Sequence, residues 1–255
     1  MPVSSPASVS LHLDGVLRCS RYSFSPNRLH YCGPDANREL TAYLDEGVSD
    51  AGLRLLLSQF ATLYPYLKLI AESNRIRDPF DARVVEAYWL GNALLDAVDT
   101  RRFHRHLIEA HGTKRKIGAT AFGYLERKIG RGALPHHSFH VLNVWRRTGN
   151  EDVPHTLESM DACRVSSGRV LETNGPRIVA AIEPILYADK RLYLGAPVRT
   201  TLARRLESEY DIEQLQPGNL ISVHWGVPCE VITEAQAENL RRFTLTSLTF
   251  ANETL

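Results

Sequence analysis

Apolar residues follow two different rhythms along this chain, and a chain that changes rhythm partway folds as two kinds of structure rather than one repeating layer. From Asp35 to about His111 they recur at three- and four-residue steps: Leu53, Leu56, Leu57, Phe60 and Leu63, then Val84, Val85, Tyr88, Leu94, Leu95 and Val98. That spacing lines one face of a helix. From Ala162 onward the runs are short, β-prone and punctuated by turn residues: Arg164–Leu171, Asn174-Gly175, Arg177–Ile182, Ile185–Leu194 interrupted at Asp189-Lys190, and Leu220–Trp225 after Pro217-Gly218. Asn-Gly between two β-prone runs is a strong hairpin signal, because both residues tolerate positive φ. Several short strands in so little chain predict a small barrel. Helical spacing returns after Thr233-Glu234, with Ala235, Ala237, Leu240 and Phe243 on one face. The expected fold class is α+β: a helical N-terminal domain over residues 11–150, then a small OB-like β-barrel with a C-terminal helix over residues 158–255.

Local punctuation sharpens the helical part. Asp78-Pro79-Phe80-Asp81 reads as a helix start, with Asp78 capping free amides and Asp81 complementing the dipole. Tyr64-Pro65-Tyr66 reads as a corner between two helices, since proline interrupts the backbone ladder. A further helix is expected from Lys114 to Lys128, ended by Gly130, Gly132 and Pro135. Ser138–Trp145 alternates as a strand or extended connector, and Thr148–Pro154 reads as a polar linker near the domain boundary.

Charge and cysteine usage exclude several classes. Lys and Arg total 30 against 29 Asp and Glu, a formal net charge of +1. No long-range field draws the chain to nucleic acid or an anionic membrane. The short basic clusters Arg101–His106 and Lys114-Arg115-Lys116 read as solvated helix ends. Cys19, Cys32, Cys163 and Cys229 are scattered, without a C-x-x-C pair, so neither a disulfide framework nor a zinc ribbon is suggested. No apolar run of about 18 residues is present. Residues 1–10 are rich in Ser and Pro without a secretory pattern, so they are expected to be disordered and the protein cytoplasmic. Phosphate-loop, dinucleotide, serine-hydrolase and zincin motifs are absent from the sequence.

Two stretches of the C-terminal part carry a resemblance. Cys163-Arg164-Val165-Ser166-Ser167-Gly168-Arg169-Val170 has a cysteine, a glycine, a basic residue and a valine at the offsets of C-[LV]-[AG]-[IV]-P-G-[KR]-[VI]. Pro217-Gly218-Asn219-Leu220-Ile221-Ser222-Val223-His224-Trp225-Gly226 is similar to G-[DE]-[YW]-V-L-V-H-x-G, and Glu230–Ala235 to the acidic start of a following helix. Together, over roughly residues 162–235, these resemble the HypC-type chaperones of nickel–iron hydrogenase maturation. The resemblance implies an iron atom carrying cyanide and carbon monoxide, held by Cys163 and His224. It also implies transfer of that iron between a maturation scaffold protein and the hydrogenase large subunit. A thiolate and a neutral imidazole suit such iron. The chain departs from the family in having an internal cysteine, Ser167 for the usual proline, Asn219 for the acidic residue, and an insertion at about 198–216.

Other residues of metal-binding type are present. His136, His137 and His140 form the densest histidine group; His137 and His140, or His136 and His140, would share a face of a helix. No acidic or cysteine partner lies at ligand spacing, so a polar surface or interface role is favoured, with a combined site involving Cys163 or His224 as the sharper alternative. Cys32, in Cys32-Gly33-Pro34-Asp35, precedes an expected helix whose dipole would lower its thiol pKa. Arg18, Arg21, Arg28, Tyr22 and Tyr31 around it read as a mildly basic, aromatic surface. The leading expectation is a non-catalytic metal-centre assembly chaperone. Its rivals are a metal-dependent enzyme using Cys32 with the histidine group between the domains, and a partner-binding module without metal.

Overall fold

The computed structural model describes residues 14–144, 155–203 and 214–255; the expected disordered N-terminus and the Thr148–Pro154 linker lie outside them. Helix α1 (Gly15–Arg28) precedes the span in which helical spacing is legible, yet it sits at the centre of the molecule. Its polar residues Arg18, Ser20, Arg21, Ser23, Ser25 and Asn27 are buried alongside Val16, Cys19, Tyr22 and Phe24. A helix covered on all sides has no apolar stripe to read. The surface expected around Cys32 is therefore corrected: Arg18, Arg21 and Tyr22 are interior.

The helical part continues with α2 (Asn37–Glu46), α3 (Ala51–Ser58), α4 (Leu63–Ser73) and α5 (Ala82–Trp89), then a 3₁₀ turn at Ala93–Ala97. The chain breaks at residues 59–62 rather than at Pro65, which occupies the first turn of α4, where no helical amide partner is required. Asp81, not Asp78, caps α5, accepting from the Arg83 amide at 2.9 Å. Helices α6 (Thr100–Glu109), α7 (Thr113–Ile117) and α8 (Ala119–Gly130) follow. Gly118, at φ 85°, splits the single helix expected over Lys114–Lys128. The segment expected as a strand or connector is instead helix α9 (His137–Asn143), because its histidines and apolar residues are buried on every side.

Helix α10 (Leu157–Cys163) leads into the sheet, formed by β1 (Ser166–Asn174), β2 (Arg177–Ile182), β5 (Val198–Ala203), β6 (Leu220–His224) and β7 (Val227–Val231). A separate hairpin joins β3 (Ile185–Ala188) to β4 (Arg191–Leu194), turning at Asp189 and Lys190, both at positive φ. The order β5-β2-β1-β6-β7 is antiparallel throughout. Edge strands β5 and β7 approach each other without sharing a ladder among the described residues, so the sheet curls toward closure. The β1–β2 hairpin forms where Asn-Gly predicts one, but its two turn residues are Gly175 and Pro176; Asn174 is still paired, with Arg177. Gly168 lets strands approach, since a Cβ there would meet Ile182 Cγ1 at 2.8 Å.

Helix α11 (Glu234–Asn252), opened by a Thr233/Gln236 capping box, returns to pack on α9. One core consequently spans both parts of the chain: Val165, Cys229, Ile232, Leu240, Phe243 and Phe250 join the helical apolar residues. A polar bond set ties them too. Arg18 donates to Glu230 at 2.8 Å and to Glu86 at 3.0 Å, and the Tyr22 hydroxyl donates to Glu230 at 2.6 Å. Such a buried set adds little net stability when intact, but losing one member costs about 3–5 kcal/mol because a charge is stranded. Among the described residues no helix is long and apolar enough to cross a membrane.

Candidate metal centre

The tight turn between β6 and β7 explains why the histidine precedes Trp225-Gly226. His224 pairs with Val227, leaving two turn residues at φ 51° and 72°. This is the left-handed geometry of a two-residue hairpin, and glycine accepts it without strain. The Trp225 amide then donates to the Ala162 carbonyl at 2.8 Å, fastening the turn to the end of α10, one residue before Cys163. On the other side of the junction Ser166 pairs with Val223. Buried Arg164 holds the corner, donating to Asp161 at 2.9 Å and to the Glu183 carbonyl. Local hydrogen bonding therefore sets Cys163 beside His224.

A third residue comes from the helical part. His137, Cys163 and His224 each offer one ligand atom, and these atoms lie within 4.8 Å of one another. His224 is 2 % exposed and Cys163 is half-buried. The His224 Nδ1–H donates to the Tyr22 carbonyl at 2.7 Å, so Nε2 carries the lone pair; that buried atom has no hydrogen-bond partner. His137 Nε2–H donates to the Cys163 carbonyl at 2.8 Å, and its Nδ1 faces the Tyr88 hydroxyl at 3.2 Å. Trp89 packs against both imidazoles, 4.5 Å from His137 and 5.3 Å from His224 between ring centroids.

Burial lowers the His224 pKa to about 4, only partly offset by the main chain of Tyr22 and Cys163. It drives His137 well below the ordinary histidine value as well, with His224 adding to the effect. Both rings are neutral at physiological pH, the form that ligates a metal. One sulfur and two imidazole nitrogens, without a carboxylate, suit a borderline-soft transition ion rather than magnesium or calcium.

The remaining histidines and cysteines go elsewhere. His136 caps α9, stacks on Phe243 with centroids 4.8 Å apart and lies outside the group. His140 turns the other way, its Nδ1 3.0 Å from the Tyr66 hydroxyl, toward His106 and His111, whose Nε2 atoms are 2.9 Å apart. The three histidines of the dense group thus point to three different surroundings. Cys32 is half-buried and outside the group, and its helix begins only at Asn37. Burial pushes its thiol up to about 12, opposite to the expected helix-dipole effect; a hydrogen bond from the Gly33 amide opposes this only in part. Tyr22, Tyr88 and Trp89 are not legible as site residues in the sequence, since only the fold brings them to the imidazoles.

A family model described as "Family of unknown function (DUF6390)" matches residues 11–255. No curated protein and no solved structure matches the chain.

Proposed function

The chain belongs to the DUF6390 family, whose function is unknown, and from the site it carries we propose that it is a metal-centre assembly chaperone acting in nickel–iron hydrogenase maturation. It would hold or transfer an iron centre through Cys163 and His224, with the hydrogenase large subunit or a maturation scaffold protein as partner. The observation that carries this reading is the meeting of these two residues, 61 positions apart in sequence, with the buried His224 Nε2 left without a hydrogen-bond partner. Burying an imidazole lone pair unpaired costs free energy, and an incoming metal bond offsets that cost. A half-buried thiol beside it supplies a soft, strongly donating ligand.

The test is anaerobic purification of the full chain from cells that produce the hydrogenase maturation proteins, followed by iron analysis and infrared spectroscopy. Cyanide and carbonyl bands that accompany the wild type and vanish in Cys163→Ala support the reading. Absence of those bands, with iron content equal in the two proteins, sinks it.

A further inference from the structure

We infer that the helical part supplies a third metal ligand, His137, making the centre a one-sulfur, two-nitrogen set that takes a divalent transition ion and leaves the remaining coordination positions to non-protein ligands. The inference rests on the assignment of Cys163 and His224 as ligands and adds the residue that the family resemblance does not contain.

Three observations lead to it. First, His137 belongs to the same group of ligand atoms within 4.8 Å. A tetrahedral ion with bonds of about 2.0–2.3 Å needs ligand atoms roughly 3.3–3.8 Å apart. From a spacing of up to 4.8 Å, ligation therefore requires the side chains to close in by about 1–1.5 Å. Second, the two histidines are prepared alike. Each donates one ring N–H to a backbone carbonyl, His224 to Tyr22 at 2.7 Å and His137 to Cys163 at 2.8 Å. Metal-ligating histidines are oriented in this way, because the outer hydrogen bond fixes the tautomer and raises the basicity of the ligating nitrogen. The lone pair of His137 then lies on Nδ1, where the Tyr88 hydroxyl at 3.2 Å is a long and easily displaced partner. Third, Trp89 packs against both rings, so one apolar wall excludes water from both imidazoles.

Three protein ligands with an open fourth position are the arrangement of metal sites that exchange a ligand, whereas closed sites have four. An open position is what a carrier needs to pass its ion to another protein. The placement also explains what the helical part contributes, because α9 adds a third ligand to the two supplied by the end of α10 and by β6, and α5 packs Tyr88 and Trp89 around it.

Cobalt(II) titration of the reduced, full-length protein under anaerobic conditions tests this. Wild type is expected to develop a thiolate-to-cobalt band in the near ultraviolet and the intense visible bands of a four-coordinate ion. His137→Gln should keep the thiolate band, alter the visible bands and weaken binding by at least about 100-fold, beyond the usual cost of an outer-shell change. His137→Cys should strengthen the thiolate band by adding a second sulfur, a result that a purely structural histidine would not produce. If His137→Gln binds with wild-type affinity and spectrum while Cys163→Ala loses the thiolate band, His137 is not a ligand and the two-residue assignment stands alone. If wild type gives no thiolate band, or Cys163→Ala keeps it, the underlying assignment fails too.

Discussion

Helix α9 sends histidines into two buried clusters, and their difference separates a site from a well-packed interior. Around Tyr66, His140 bonds the tyrosine hydroxyl and His106 bonds His111, so imidazole nitrogens are satisfied by protein groups. Around Cys163, His224 keeps an unpartnered nitrogen and His137 holds its second nitrogen only through the longer bond to Tyr88. Both clusters are buried and both keep their histidines neutral. Burial and lowered pKa therefore do not distinguish them; an available lone pair beside a thiol does.

The largest expected effect tests that distinction directly. Cys163→Ala and His224→Gln should each weaken cobalt(II) or zinc(II) binding by roughly 1,000-fold, about a quarter to two-fifths of the free energy typical of a four-ligand structural zinc. His111→Gln should leave affinity unchanged. Competition titration with a chromophoric chelator measures all three, and a comparable loss in His111→Gln would erase the difference between the clusters.

How much of this is legible in the sequence depends on whether the cause is local. Cys163 and His224 lie in stretches whose turn and strand residues fix their own geometry, as Trp225-Gly226 does for the β6–β7 hairpin. The α+β order is legible too, because exposed helices and short strands keep their periods. Helix α1 is not, since its buried Arg18 is balanced by Glu230 and Glu86 from distant elements. His137 stands out only as one of three neighbouring histidines. What sets it apart is Tyr88 on one side and the Cys163 carbonyl on the other, 49 and 26 residues away. Cys32 misleads because the dipole argument weighs a helix end but not the burial that outweighs it.

Acid should act on the cluster that already has its partners as well as on the candidate site. Burial lowers His106 to about 3 and His111 to about 4 from an ordinary 6.5; Lys116 adds to the effect at His111, and His111 itself, once protonated, adds to it at His106. The unfolded chain then binds more protons than the folded one below pH 6.5, so the stability these groups contribute is complete above 6.5 and falls as pH drops toward 4. One pKa unit is worth about 1.4 kcal/mol, so His111 alone accounts for about 3 kcal/mol of loss by pH 4. Urea unfolding from pH 7 to pH 4 should therefore show a shallower decline in His111→Gln than in wild type. Parallel curves would mean that the His106–His111 pair opens to solvent and is not a sealed interior.

The smallest effects come from two tyrosine hydroxyls that play matched parts in the clusters. Tyr66→Phe removes the partner of His140 Nδ1 and should cost about 1 kcal/mol of stability, with no change in metal affinity. Tyr88→Phe removes a competitor for His137 Nδ1, and the free energy of that hydrogen bond returns to the metal complex. A bond worth about 1 kcal/mol corresponds to about a fivefold gain in affinity. The packing of the Tyr88 ring on Tyr66 and Trp89, with centroids 5.2 and 4.8 Å away, is retained by phenylalanine, so the fold should not obscure the comparison. Weaker binding in Tyr88→Phe would show instead that the hydroxyl orients His137 for the metal, and the two tyrosines would then both be supports for their histidines.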